Sequence, residues 1–510
     1  MRLRKLRPRV EFGDFQTPPA LATRVVKVLA ERGVSPGSIV EPTCGIGNFL
    51  KAAVEQFGSA EWAFGFDING AHLTRALERV VGLSYETRIE LNEGNFFTYP
   101  WPELFNGARQ PILVIGNPPW VTASELGVSA ATNLPRKSNS QNLRGIEAIT
   151  GRSNFDIAEW MLIRLLDSLV SRDACMAMLI KTSVARRVLR HIWRTRLPVE
   201  TAAIYTFDAR AEFNVSADAC LFVCNMSRGT SQTLMQHCDV CRLDQSSVTE
   251  GRIGYRNDTL IANMDAYVEC ADIVRCAGAE DSTYRWRSGI KHDCAKVMEL
   301  RNTPTGLVNG LNERVEIEPE FLYPLLKGSD IARGGETLHS RLVLVTQHHP
   351  GDDTSHIRKT HPKTWRYLTD HAKWLDVRSS TIYRKAARFS VFGVGPYAFR
   401  PWKVAICGLY KKIAFARVGP REGRPVFFDD TVYYLACNAE AEAEFLADIL
   451  NSDEAKACYG AFVFWDAKRP VTVDLLQRID LPKLARRLGC ADRFAQLGAA
   501  GDVANAELLF

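Results

Sequence analysis

AsnProProTrp at 117–120 directly follows the apolar run IleLeuValIleGly at 112–116. Two consecutive prolines fix the backbone and carry no amide donor, so nearby carbonyls remain available as acceptors. The side-chain oxygen of Asn117 and the carbonyl of Pro118 are two acceptors that can hold both hydrogens of a planar –NH2 group. Trp120 adds a flat face on which a planar ring can stack. Such a set could hold a planar amino group and stack the ring that carries it. The plainer alternative is a Pro-Pro loop cap with a packed Trp. A second constellation is ValGluProThrCysGlyIleGlyAsnPheLeu at 40–50. Gly45 and Gly47 allow a tight turn and a close approach of backbone to ligand. Twenty residues past Gly47 stands Asp67, in GlyPheAspIle. An acid at the end of a second strand can take both hydroxyls of a ribose. Two spaced glycines alone are as readily a structural turn; with the acid they indicate a nucleoside-containing cofactor.

These residues need a frame, and the pattern from Ser38 to about Met226 supplies one. Strands are expected at Ser38–Glu41, Trp62–Ile68, Arg88–Glu93, Ile112–Gly116, Cys175–Ile180, Ala202–Phe207 and Ala219–Cys224. Helices are expected at Asn48–Phe57, Ala71–Val81, Ile157–Val170 and Ala185–Arg196. Trp160, Leu162, Ile163, Leu165 and Leu166 give the third helix an apolar stripe at helical spacing. Alternation of this kind predicts an α/β, doubly wound, mostly parallel sheet. The last two strands are expected to form an antiparallel hairpin at one edge. The polar segment Val121–Asn154 interrupts the rhythm, and a loop that long in a compact domain is usually either functional or disordered. The stretch around Asp239–Arg287 reads as an irregular connector. From about Ser288 a second domain of short strands and many aromatics follows.

In this order the motifs resemble the gamma group of adenine-N6 DNA methyltransferases, the TaqI-type enzymes of restriction–modification systems. PheGlnThrPro at 15–18 matches the first motif of that group, GluProThrCysGlyIleGlyAsnPheLeu the glycine loop, PheAspIle at 66–68 the acidic strand end and AsnProProTrp the amino acceptor. GluGlyAsnPhePhe at 93–97 matches the motif on the cofactor adenine, with Asn95 where an Asp is usual. Asn keeps the acceptor oxygen and loses the charge. GluPheAsnValSerAlaAspAlaCysLeuPheVal at 212–223 resembles the motif whose Phe stacks on the flipped base; Phe213 is the match and Phe207 its competitor. LeuValAsnGlyLeuAsnGlu at 307–313, LeuLeuLysGlySerAspIle at 325–331 and residues 396–412 resemble parts of the recognition domain.

The resemblance implies a seven-stranded class I methyltransferase sheet in residues 1–240, a connector at 241–287 and a separate mixed α+β target-recognition domain at 288–510. It implies S-adenosylmethionine as cofactor, held by Thr17, Glu41, Thr43, Cys44, Gly45, Gly47, Asp67, Ile68, Asn95 and Phe96. Asn117, Pro118 and Trp120 would be catalytic, with Trp120 and Phe213 sandwiching a flipped adenine. Cys44 reads as a small packed residue, since transfer onto nitrogen needs no nucleophilic cysteine. The expected partners are double-stranded DNA and a separately encoded restriction endonuclease.

Composition agrees with a soluble, cytoplasmic protein: 46% hydrophobic and 24% charged residues over 510, without an apolar run of the roughly 18 residues a membrane span needs. Met1–Val10 is basic without an apolar stretch behind it, unlike a secretory signal. The 13 cysteines are scattered and are expected to be reduced. HisCysAspValCys at 237–241 lacks the second ligand pair a zinc site needs, so no metal is expected. Charge is segregated. Tyr323–Pro425 holds 19 Lys/Arg against 7 Asp/Glu, a net of +12 in a chain of net +6, which on charge alone fits a polyanion partner and a merely solvated basic face equally well. Arg136, Lys137, Arg384, Lys385, Arg388, Arg400, Lys403, Lys411 and Lys412 are the candidate DNA contacts, most of them to phosphate. A protein (glutamine) or RNA amino-methyltransferase would use the same AsnProPro, but the short stretch before Phe15 is expected to leave no room for the helical domain of the glutamine enzymes. A fused restriction–modification enzyme would need a nuclease site, and AspGluAlaLys at 453–456 and AspAlaLys at 466–468 resemble one only faintly.

Overall fold

The computed structural model describes residues 16–82, 86–121, 156–226, 235–276, 284–335 and 341–497. The chain divides into two compact units, Met1–Asp265 and Ala266–Phe510.

The first unit opens with helix α1 (Pro19–Glu31), then alternates β1 (Ser38–Glu41), α2 (Asn48–Gln56), β2 (Trp62–Asp67), α3 (Gly70–Val80), β3 (Arg88–Glu93), α4 (Trp101–Gly107) and β4 (Ile112–Gly116). After residues 122–155 come α5 (Ile157–Leu169), β5 (Ala174–Lys181), α6 (Thr182–Thr195), β6 (Val199–Phe207), α7 (Ala209–Phe213) and β7 (Ala219–Met226). The expected strands and helices are present with small shifts at their ends. Every residue of β1 and β4 is buried, as parallel strands covered on both faces require. Short polar side chains start three of the helices: Asn69 accepts from the Ala71 amide at α3, Asp156 from the Ala158 amide at α5, and Asp208 from the Arg210 and Ala211 amides at α7. Helix α1 was not anticipated, although its buried Leu21, Ala22, Val25, Val26 and Leu29 repeat at helical spacing behind prolines at its start.

In place of the expected seven strands, the sheet has ten among the described residues. The sheet order is β10-β9-β8-β6-β7-β5-β4-β1-β2-β3, where β8 is His237–Arg242, β9 Gln245–Arg256 and β10 Thr259–Ile261. Strands β3, β2, β1, β4 and β5 run parallel, and β7 lies antiparallel between β5 and β6. The pair β6–β7 is thus antiparallel as expected, but β8 adds parallel to β6 and removes it from the edge. Residues 241–261, read as part of a connector, continue this sheet. Strand β9 is largely exposed and polar, with GlnSerSerValThrGlu at its start. An outer strand of that composition lacks the apolar alternation by which strands are recognised.

Among the described residues the second unit has two sheets. One orders β11 (Arg287–Ser288), β19 (Val432–Cys437), β16 (Trp402–Cys407) and β17 (Ala416–Val418). The other orders β13 (Gly306–Asn309), β12 (Glu299–Thr303), β15 (Arg341–Leu344), β14 (Leu322–Leu326) and β18 (Phe427–Phe428). Leu300, Val343, Leu344, Ile357, Leu368 and Phe389 are among the residues of its core.

Candidate active site

Strand β1 pairs with β2 on one side and β4 on the other. The sheet therefore changes winding direction between β1 and β4, where α/β sheets bind ligands at the strands' carboxyl ends. Three candidate groups sit at that edge: the glycine loop after β1, Asp67 ending β2 and Asn117 after β4.

Gly45 and Gly47 adopt φ of +51° and +76°, a left-handed conformation that favours glycine. At Gly47 the need is also steric: an added Cβ would lie 2.9 Å from the Ala76 Cβ on α3. Gln16 holds the loop from above, its Oε1 accepting the Ile46 N–H at 3.0 Å. The Thr17 carbonyl accepts from Asn48 Nδ2 at 2.7 Å. Gln16 and Thr17 thus bind the glycine loop and the first residue of α2, with Gln16, not singled out from sequence, making the side-chain contact; Phe15 lies outside the described residues.

Asp67 Oδ2 accepts the Gly45 N–H at 2.9 Å and Oδ1 the Asn69 N–H at 2.8 Å. His72 Nδ1 stands 3.4 Å from Oδ1, a further neighbour missed in the sequence. Ile68 beside it is exposed. Glu41 is buried, and its Oε2 accepts the Leu50 N–H at 2.8 Å in the first turn of α2. Burial pushes its carboxyl well above the usual carboxylate range; the Leu50 amide opposes this and the charge of Asp67 adds to it. Thr43 is half-buried in the same turn. Cys44 is buried, and burial together with Glu41 and Asp67 drives its thiol far upward, so it packs as a thiol and is no nucleophile.

Asn95 Oδ1 accepts the Phe97 N–H at 2.9 Å, so its side chain already shapes the turn after β3. Phe96 is buried, its ring 5.0 Å from Trp101 and 5.8 Å from Phe97. Both candidates stand close to Asp67, whose carbonyl accepts the Gly94 N–H at 3.0 Å.

Past β4, Pro118 and Trp120 are buried and Asn117 half-buried. Trp120 is only 7% exposed, and its indole N–H donates to the Leu179 carbonyl of β5 at 3.1 Å. Phe213 does meet it, with ring centroids 5.3 Å apart and planes at 66°. That is edge-to-face packing. A ring held between them requires parallel, separated faces, so the sandwich would need Phe213, half-buried at the end of α7, to move. Phe207 lies 6.3 Å from Phe213. Just beyond, the Val121 carbonyl accepts the Ile157 N–H at 3.1 Å, and buried Asp156 pairs with Lys181 at 2.9 Å. These contacts join the two ends of segment 122–155 beside the AsnProProTrp turn, a function the sequence did not reveal for Asp156 or Lys181.

In the second unit Arg384, Lys385, Lys411 and Lys412 are exposed. Arg388 is exposed but held by Asp376, Nη2–Oδ2 at 2.8 Å and Nε–Oδ1 at 3.3 Å. Arg400 is half-buried and donates to Asn438 Oδ1. Lys403 must be corrected: it is 1% exposed, and its Nζ donates to the Arg400 carbonyl at 2.7 Å, so it cannot reach DNA. It lies in β16, which is flanked by β19 and β17. Burial pulls its ammonium down to about 7, against a small opposing influence of Cys437. Arg136 and Lys137 lie outside the described residues. Among the described residues no cluster of three His, Cys, Asp or Glu could hold a metal, and no helix is long and apolar enough to cross a membrane.

The order β3-β2-β1-β4-β5-β7-β6 with an antiparallel β7, and a glycine loop facing an acid at the switch point, define a class I S-adenosylmethionine-dependent methyltransferase. No protein-family model matches the chain. It is 44% identical over 478 residues to the type II methyltransferase M.NspV of Nostoc sp., covering 94% of this chain and 98% of that one. The chain therefore belongs to the type II methyltransferases of restriction–modification systems. The fold is also similar to the type IIL restriction-modification enzyme MmeI, solved in complex with DNA, with a TM-score of 0.53 at 13% identity; the match covers 90% of this chain and 64% of that one.

Proposed function

We propose that this chain methylates the exocyclic amino nitrogen of adenine in duplex DNA, at a specific site and on a base flipped out of the helix. The observation that carries the proposal is the placement of AsnProProTrp at the end of β4, one strand from the glycine loop and two from Asp67. An amino group presented there meets its acceptors on the same sheet edge as the cofactor seat.

The residues of that seat suit S-adenosylmethionine. Each Asp67 oxygen accepts one backbone N–H, which leaves acceptor capacity for ribose hydroxyls beside the His72 ring. Exposed Ile68 offers an apolar face for the cofactor's adenine. When bound, the cofactor supplies an electrophilic sulfonium methyl group. The chain's own part is orientation. Asn117 Oδ1 and the Pro118 carbonyl accept the two amino hydrogens and favour the pyramidal nitrogen, whose lone pair is otherwise delocalised into the purine. Positioning does most of the remaining work. Flipping costs a few kcal/mol, offset in part by stacking on Trp120 and Phe213. The exposed basic residues of the second unit would hold the duplex by its phosphates.

The test is product identity. Genomic DNA from a host expressing the full chain is digested and its nucleosides are resolved by mass spectrometry. N6-methyladenine confined to one sequence motif is expected. Methylation of a cytosine carbon, of RNA or of protein instead would overturn the proposal.

A further inference from the structure

Strands β16 and β17 form an antiparallel hairpin, Lys403 facing Val418 and Ala405 facing Ala416. Residues 408–415 join them, and both ends of the connection are tied down. The Gly408 N–H donates to the Thr431 carbonyl at 2.8 Å. A Cβ at Gly408 would lie 2.8 Å from the Tyr433 ring and 3.2 Å from that carbonyl, so a larger residue does not fit there. At the other end Ile413 and Phe415 are buried. Asn451 clamps the Phe415 backbone, accepting its N–H at 3.0 Å and donating to its carbonyl at 2.8 Å.

Between these anchors the composition changes. Leu409 and Tyr410 are 41% and 47% exposed, and Lys411 and Lys412 follow them, also exposed. Neither lysine side chain has an ion pair or hydrogen bond among the described residues. A single exposed apolar residue needs no explanation. A leucine and a tyrosine side by side on an anchored tip, next to two uncompensated cations, fit a surface where anions and apolar groups alternate at short range. Duplex DNA is such a surface: phosphates rim the major groove, and thymine methyl groups line its floor.

We infer that the 409–412 tip is a sequence-reading element, in which Lys411 and Lys412 grip phosphates and Leu409 and Tyr410 pack on the methyl group of a thymine in the recognised site. The inference rests on the reading of this chain as a DNA methyltransferase and adds to it the residues and the base-pair feature that confer specificity. The phosphate contacts bring the tip to the groove without regard to sequence; the apolar pair makes one A·T pair preferred.

The experiment uses the full chain and a duplex carrying the motif found methylated in the host. Each thymine is replaced in turn by deoxyuridine, which removes the methyl group and keeps the pairing. Wild-type affinity should drop roughly fourfold at one position, as expected for one buried methyl group. The Leu409→Ser/Tyr410→Ser double variant should bind the two duplexes equally at that position, and a cooperative unfolding transition shows that it is folded. The Lys411→Ala/Lys412→Ala variant should keep the thymine preference, while the slope of log affinity against log salt falls by about 0.9 per lysine. Wild-type preference retained by the Leu409/Tyr410 variant, or indifference of the wild type to every thymine, overturns the inference and leaves the methyltransferase reading standing. Absence of duplex binding and methylation by the wild type overturns both.

Discussion

Around the glycine loop, the carboxylates of Glu41 and Asp67 are held by backbone amides of Leu50, Gly45 and Asn69. In the second unit, by contrast, the basic residues that suggest a polyanion partner divide among several uses. Lys327 pairs with Glu299, Arg341 with Asp330 and Arg388 with Asp376, while Arg424 donates to the carbonyls of Pro319 and Leu322. Lys403 is buried, and among the described residues a subset such as Arg384, Lys385, Lys411 and Lys412 is exposed without such a tie. A site assembled from spaced motifs keeps its meaning when folded. A charge count does not, because the fold spends part of it internally.

The largest expected effect tests the first half of that contrast. Asn117→Ala removes one acceptor and leaves the cofactor seat intact. Methyl transfer should fall about 10²-fold or more, the scale of one lost transition-state hydrogen bond. Cofactor affinity by calorimetry and duplex affinity by anisotropy should be unchanged. Full transfer rates in this variant would show that the turn after β4 is structural only.

Next is the pair that closes segment 122–155. Lys181→Met leaves the Asp156 carboxylate buried without its cation, a change that costs about 3 kcal/mol or more. Urea unfolding should show the loss, and Asp156→Asn/Lys181→Met should recover part of it by removing the stranded charge. A single variant as stable as wild type would mean that the pair does not hold this edge of the sheet.

Legibility followed the same division. The strands bearing the site are short apolar runs beside glycine or acid, so β1, β2 and β4 could be placed to within a residue. Strands β8–β10 escaped because an outer strand such as GlnSerSerValThrGlu needs no apolar face. Gln16, His72, Asp156 and Lys181 escaped for another reason: their partners lie at distances along the chain that no spacing rule predicts, 25 residues for Asp156–Lys181. Lys403 was misplaced because a lysine in a basic segment reads as exposed unless the neighbouring strands are known.

That burial has a pH signature. Above the folded value of about 7 and up to the unfolded value of about 10.4, the unfolded chain binds the proton that the folded chain has released. Stability from Lys403 therefore rises with pH across that window, by up to about 1.4 kcal/mol per pH unit, and is flat outside it. In Lys403→Met the rise should vanish, and the variant should exceed wild type in stability most at pH 6. Urea midpoints at pH 6, 7, 8 and 9 measure the difference directly, since the other titrating groups are common to both proteins. A difference independent of pH would place a charged ammonium in the folded state throughout.

The smallest effect separates the two kinds of surface cation. Among the described residues Arg384 and Lys385 are exposed without an acidic partner, whereas the exposed Arg388 is committed to Asp376 through two hydrogen bonds. If the second unit grips DNA by phosphate, each lysine or arginine that contacts phosphate contributes about 0.9 to the slope of log affinity against log salt. Arg384→Ala/Lys385→Ala should therefore lower the slope by nearly two and weaken specific and non-specific duplexes alike. Arg388→Ala should change it little, because its charge is already neutralised by Asp376, and an exposed pair of this kind is worth at most about 1 kcal/mol to stability. The paired measurement matters more than either alone. Equal slopes for both variants would mean that internal pairing does not decide which cations meet the polyanion. A larger loss at Arg388 would mean that Asp376 is displaced on binding, so that the ion pair is a latch released by DNA.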